Sequence, residues 1–213
     1  MADRFWPLYD LRITTPRLEL RLPDLELLTA LASLAAEGVH EESAMPFTVP
    51  WTAGSPEERG RSVIQHNLGL IGQWRPESWA LGLAVLHRGT VVGLQDLFAT
   101  DFAVTREVET GSWLGLAHQG QGIGTEMRAA VLALAFEGLD AHWAVSGAMT
   151  DNRRSLGVSR RLGYRPDGHS VVAVQGRART VQRLRLDRAA WQAHRTVSVE
   201  IGGLEPCLPL FGC

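Results

Sequence analysis

The sequence predicts a single α/β domain built on a mixed sheet, and three observations carry that expectation. Apolar runs of strand length alternate with helical stretches along most of the chain. A glycine-rich turn, Gln119-Gly120-Gln121-Gly122-Ile123-Gly124, falls between a strand and a helix. The 213 residues suffice for one sizeable core, and 45% hydrophobic with 21% charged residues is ordinary for a globular protein.

The elements follow in order. Residues 11–22 read as a first strand interrupted by Pro16. Asp24 caps an Ala/Leu-rich helix to about Glu37, stopped by Gly38. Residues 39–54 hold two prolines, Pro46 and Pro50, with the bulky apolar Met45, Phe47 and Trp51, and read as a loop that packs. Ser55-Pro56-Glu57-Glu58 starts a helix to about Trp74. Residues 79–87 and 90–98, joined at Arg88-Gly89, read as a hairpin, and a polar loop leads to a strand at 107–117. A helix spans about 122–138, with Ile123, Met127, Ala130, Val131 and Leu134 on one stripe. A strand at 142–149, a helix from Asp151-Asn152 to Gly163, strands at 164–175 and 179–186, and a short helix to His194 complete the domain. Residues 1–194 form that domain, and 195–213 form a tail with a strand-like piece, Thr196 to Ile201.

Composition excludes several classes. A net charge of −2 gives no bulk case for nucleic-acid or membrane binding. All 21 basic residues are Arg, so no Lys can form a Schiff base or serve a phosphate-binding P-loop. Cys207 and Cys213, both in the tail, make neither a disulfide framework nor a metal site. With no apolar run of spanning length and no leader pattern, a cytoplasmic location is expected.

The turn carries the chemistry. Its position leaves unpaired backbone N–H groups at the positive end of a helix, and glycines let a ligand approach closely. Such a cup suits a pyrophosphate without any Lys. A plain strand-to-helix turn is the bland alternative. The dinucleotide fingerprint fits poorly: glycines stand at 120, 122 and 124, none at 125, and the turn follows the fourth strand.

Gln119-x-x-Gly122-x-Gly124 resembles the pyrophosphate motif of the GNAT acyltransferases. Asn152-Arg-Arg-Ser155, running on to Leu162-Gly163-Tyr164, is similar to that family's second cofactor segment. Glu109-Thr-Gly111-Ser-Trp113-Leu114, Thr15-Pro16-Arg17-Leu18-Glu19-Leu20 and Thr125-Glu126 are similar to its ribosomal-protein N-terminal acetyltransferase (RimJ/RimL-like) branch. The likeness covers roughly residues 11–186. Gly38-Val39-His40, Met45 to Trp51, and Pro209-Leu210-Phe211-Gly212 resemble a mycobacterial succinyltransferase of the same family.

The resemblance implies the GNAT fold, a mixed and mostly antiparallel central sheet flanked by helices. It implies an acyl-CoA-dependent N-acyltransferase in which an amine attacks the thioester directly. The cofactor is acetyl-CoA or succinyl-CoA, with no metal. The acceptor is a small molecule or a protein N-terminus, and a homodimer or higher assembly is expected. Cofactor contacts fall on Leu114, Leu116, Gln119, Gly120, Gln121, Gly122, Ile123, Gly124, Thr125, Asn152 and Ser155. Glu109 is placed as general base, with Glu107, Asp96 and Asp101 as competing acids and a solvated strand end as its plain reading. Ser155 is placed as the acid that protonates the thiolate. Many family members carry a Tyr four residues further on, where this chain has Ser159. Asn152 also reads as a helix cap, and Tyr164 as packing. His40, Phe47, Trp51 and His118 could line the acceptor pocket, and Arg160 and Arg161 could meet phosphates. The alternative is a non-catalytic acyl-CoA binder on the same fold.

Overall fold

The computed structural model describes residues 4–42 and 44–213. Residues 1–3 of the N-terminus and Ser43 of the packing loop lie outside the described residues. The first strand expected at 11–22 is corrected to two, β1 (Arg12–Thr14) and β2 (Leu18–Arg21), paired antiparallel. The Thr15-Pro16-Arg17 turn reverses the chain, with Thr15 N–H donating to Leu18 O at 2.9 Å.

Helix α1 (Leu25–Glu37) begins where Asp24 Oδ1 accepts from Leu27 N–H at 2.9 Å. Helix α2 (Pro56–Gly72) begins with a reciprocal capping box between Ser55 and Glu58. The two helices touch at Gly60, where a Cβ would lie 3.1 Å from Ala32 O. Strands β3 (Ser78–His87) and β4 (Thr90–Thr100) form the hairpin, and a single helical turn, α3 (Phe102–Thr105), fills part of the expected polar loop. Strand β5 (Glu107–Leu114) leads through the glycine turn into α4 (Ile123–Ala133), whose last turn, Leu134–Gly138, is π-helical. Then come β6 (Trp143–Met149), α5 (Arg153–Arg161), β7 (Arg165–Val174), β8 (Arg177–Asp187), α6 (Arg188–His194) and β9 (Glu200–Gly202).

The sheet has nine strands in the order β7-β8-β6-β5-β4-β3-β2-β1-β9. Every pairing is antiparallel except β5 with β6. One face packs on α1 and α2 through Leu31, Val63, Leu94 and Trp113. The other packs on α4, whose predicted stripe is buried throughout. The tail belongs to this second core. β9 extends the sheet at β1, later in the chain than the Thr196 to Ile201 piece suggests. A 3-10 turn, Glu205–Phe211, then buries Phe211 completely against Trp74 and Trp79.

Candidate active site

Sheet register opens the site. β5 and β6 pair only through Glu107↔Trp143, Val108↔Ala144 and Glu109↔Val145. Beyond that, β5 stays with β4 as far as Leu114, while β6 stays with β8. The parallel pair therefore parts after Glu109. Gly115 N–H donates to Val92 O at 3.0 Å. Alternation in an antiparallel ladder then turns the backbone groups of Ser112 and Leu114 away from β4, into the split. Thr110 has the same parity, and its carbonyl accepts Ser146 Oγ from β6 at 3.2 Å. The backbone of Leu114 thus faces the split. The expectation for Leu116 is corrected: it lies in a 3-10 turn, and its N–H is used by Gly38 O at 3.0 Å.

The glycine turn lies at the start of α4. Gly120 and Gly122 have φ of 76° and 80°, a left-handed conformation that favours glycine. A Cβ at Gly120 would meet nothing within 4 Å, and one at Gly122 only Arg17 Nη2, at 3.4 Å. Among the described residues, the amides of Gly120, Gln121, Gly122, Ile123 and Gly124 have no backbone carbonyl partner. Gly120, Gln121 and Gly122 are exposed. The result is an open cup of donors at a helix N-terminus.

Two expectations around the cup change. The Thr125 amide is taken by Gly122 O at 3.1 Å, which leaves its hydroxyl for a ligand. Gln119 is a brace: its Nε2 donates to Val39 O (2.7 Å) and Leu114 O (3.0 Å), and its Oε1 accepts from Arg154 (2.8 Å). Glu126, almost fully buried, takes Thr15 Oγ1 (2.6 Å), Arg17 N–H (3.1 Å) and the Arg17 guanidinium (2.6 Å). The β1–β2 turn is thereby clipped to the first turn of α4. Arg17 remains half exposed and also donates to Gln121 O at 3.2 Å, so it brings positive charge to the cup. Sequence reasoning gave Arg17 no such role, although Thr-Pro-Arg paired with Thr125-Glu126 was the available signal.

Helix α5 flanks the split. Asn152 Oδ1 caps it by accepting from Ser155 N–H at 3.1 Å, leaving its amide nitrogen for a ligand. Ser159, fully buried, donates to Ser155 O at 3.2 Å and accepts from Arg128 Nη1 at 2.9 Å. Arg128 is 5% exposed and also reaches Ser112 Oγ at 3.4 Å. Its Nε has no partner, and no carboxylate pairs with it among the described residues. An unpaired buried cation is costly, and burial pulls its pKa down. It went unnoticed in the sequence, although it is the one charge between Met127 and Phe136. Tyr164, buried beside it, meets Thr110 Oγ1 at 3.3 Å.

Four acids compete for the role of base. Glu107 is paired with Arg185 at 2.6 Å. Asp101 is exposed at the far end of β4. Glu109 flanks the closed end of the split, and its pKa is raised by partial burial and by Glu107. Asp96 lies on the same sheet face, opposite Gly111, and burial pushes its carboxyl up to about 7. A carboxyl raised in this way keeps a proton that the unfolded chain loses near pH 4, so stability falls as pH rises from about 4 to about 7. The Tm gain of Asp96→Asn over wild type is therefore expected to grow by several degrees across that window and level off above it. A gain independent of pH in thermal melts would contradict the assignment.

The expected acceptor residues largely assemble. His40, Phe47, Trp51 and Trp113 form a chain of rings with centroids 5.8, 5.2 and 5.6 Å apart. His40 is held by Thr52 Oγ1 (2.7 Å) and Glu41 O (2.8 Å). His118 lies in the turn after β5, and among the described residues no ring contact joins it to this chain. Arg160 and Arg161 are exposed on α5. No group of metal-ligating side chains occurs among the described residues, and no helix there is long and apolar enough to cross a membrane.

A split parallel pair leading to an amide cup is the architecture of an acyl-CoA-dependent acyltransferase. A family model described as the acetyltransferase (GNAT) domain matches residues 17–165. The chain belongs to that family. Solved structures share its fold at low sequence identity. RimJ of Mycobacterium smegmatis with CoA-disulfide is 18% identical, with TM-score 0.72 and 94% of each chain covered. RimL, a ribosomal-protein alpha-N-acetyltransferase in complex with coenzyme A, is 21% identical, with TM-score 0.62, covering 82% of this chain and 96% of its own. A spermidine N-acetyltransferase chimera from Vibrio cholerae and hSSAT is 18% identical, with TM-score 0.64, covering 83% and 98%.

Proposed function

We propose that this protein moves an acyl group from an acyl-CoA to a primary amine by direct attack on the thioester. The observation that carries this is the continuity of two sets of unpaired donors: the cup at 120–124 and the inward N–H groups of Ser112 and Leu114. The cup receives the pyrophosphate, and the pantetheine arm lies in the split beside β5. The Leu114 N–H then polarises the thioester carbonyl. Glu109 takes a proton from the nitrogen as the C–N bond forms. Ser155 supplies one to the departing thiolate, which the positive charge of Arg128 also favours.

The donor is acetyl-CoA or succinyl-CoA. The likeness of residues 45–51 and of the tail to a succinyltransferase supports keeping both. The acceptor is a small amine or a protein N-terminus, the kinds of substrate named for the spermidine and ribosomal-protein enzymes above. Mass spectrometry of cofactor retained through purification, with calorimetry of added acetyl-CoA and succinyl-CoA, tests the reading. A retained or tightly bound CoA thioester is expected, and binding of neither would overturn it. With Glu109→Gln, turnover should fall by about a hundredfold or more while acyl-CoA affinity holds. An unchanged rate would remove Glu109 as the base.

A further inference from the structure

Asp96 is the lone acid in the apolar run from Leu94 to Ala99 of β4. It shares a face with Leu94, which packs on α1 and α2, and with Phe98. Its Oδ1 is shut off from solvent and has no hydrogen-bond partner among the described residues. That oxygen lies 3.2 Å from the point where a Cβ on Gly82 would sit. Asn67 Oδ1, from α2, lies 2.9 Å from the same point. One N–H of the Asn67 amide donates to Val63 O at 2.8 Å. Two acceptor oxygens thus converge over one glycine with no donor shown between them. On the opposite side Asp96 Oδ2 would be 3.5 Å from a Cβ on Gly111, so glycines flank the carboxylate on both neighbouring strands.

The register sets the level of this group. Asp96 pairs with Gly111, the second residue after β5 and β6 part at Glu109. The missing side chain at Gly111 leaves the space beside Asp96 Oδ2 bordered by the edge of the Phe98 ring, each 3.5 Å from where a Cβ would sit. The aromatic chain ending on Trp113 stands on the same face, one strand position further on.

We infer that Asp96 and Asn67 form the receiving site for the acceptor's primary ammonium ion, and that Asp96 takes the first of the two protons the nitrogen must lose. The inference rests on the acyltransferase reading. An N–H bond of the ammonium breaks and an O–H bond forms on Asp96, which frees the nitrogen lone pair. That pair forms the C–N bond at the thioester carbon. The second proton leaves to Glu109, the C–S bond breaks with its electrons on sulfur, and the thiolate is protonated from Ser155. Asp96 and Glu109 return their protons to solvent and Ser155 regains one, for a net release of one proton per turnover. A carboxyl that titrates near neutrality suits this first transfer. The surrounding elements bring few competing charges. Glu109 lies diagonally across on β5, exposed His66 precedes Asn67 on α2, β3 presents Gly82, and α1 faces this side of the sheet with leucines.

Carboxyl carbon-13 NMR of aspartate-labelled protein tests the proposal, with n-propylammonium as probe and 1-propanol as the uncharged control. Wild type, Asp96→Asn and Glu109→Gln are titrated through the neutral range with and without coenzyme A. One resonance should titrate near neutrality, vanish in Asp96→Asn and persist in Glu109→Gln. Propylammonium should lower its midpoint by about one pH unit, a tenfold change, and propanol should leave it in place. Gly82→Ala, whose methyl would press on Asn67 Oδ1 at 2.9 Å and on Asp96 Oδ1 and Leu70 Cδ1 at 3.2 Å and so push the two oxygens apart, should keep the resonance but lose the propylammonium response. A midpoint that ignores propylammonium, or a carboxyl that stays protonated throughout, overturns the inference. Calorimetry with coenzyme A on the same samples separates the two claims: lack of binding there counts against the acyltransferase reading, while the propylammonium response still decides the role of Asp96.

Discussion

Gly122→Glu is expected to abolish acyl-CoA binding. The backbone at Gly122 has φ 80°, a conformation that costs any side chain about 1 kcal/mol or more. The larger effect is electrostatic. A carboxylate placed here would enter the cup of unpaired amides, with Arg17 Nη2 only 3.4 Å from the new Cβ position. It would neutralise Arg17 and occupy the donors that a pyrophosphate needs, and its charge would repel that anion. An affinity loss of at least a hundredfold, about 2.7 kcal/mol, is expected in calorimetry, with the fold intact by circular dichroism. Gly122 is exposed, so the substitution does not reach the core. Unchanged affinity would place the pyrophosphate elsewhere.

Phe211→Ala is expected to destabilise the fold more than any change at the site. Phe211 is fully buried, with its ring 4.9 Å from that of Trp79 and 5.5 Å from that of Trp74. Both indoles also donate to the tail backbone, Trp74 to Leu210 O (2.8 Å) and Trp79 to Phe211 O (3.2 Å). Removing the ring leaves a cavity between aromatic walls that cannot collapse far. A loss of about 3–5 kcal/mol follows, or roughly 10 °C in Tm for a chain of this size. Acyl-CoA affinity well below the melt should hold, because Phe211 packs at the opposite end of the strands from the cup: its partner Trp79 is level with Ala99 of β4, whereas Leu114 is level with Gly93. A drop of about 1 kcal/mol or less in denaturant melts would show that the tail only rests on the core.

The geometry of the glycine turn was legible because it is local. Glycines at 120 and 122 are needed for left-handed backbone, and a helix start supplies donors wherever it occurs. The stripe from Ile123 to Leu134 was legible for a similar reason, since helical period alone decides burial. What escaped depended on contacts distant in sequence. Pro16 reads as an interruption until Thr15 and Arg17 are seen clamped on Glu126, more than a hundred residues away. Leu116 reads as strand until Gly38 takes its N–H. The parity that turns Ser112 and Leu114 into the split is a property of pairing, and no residue type encodes it. Arg128 and Asp96 were visible as lone charges in apolar runs, but only the assembled sheet shows that neither finds a counter-charge among the described residues. The aromatic chain from His40 to Trp113 was half legible: composition marked the loop as one that packs, while Trp113 joined it through the sheet.

The most direct test of the central claim is an amide proton–nitrogen NMR titration of the wild-type chain with coenzyme A. The largest shifts should fall on Gly120, Gln121, Gly122, Ile123 and Gly124, with a second set on Ser112 and Leu114. Saturation with those amides unmoved, and the response centred on another part of the surface, would contradict the account.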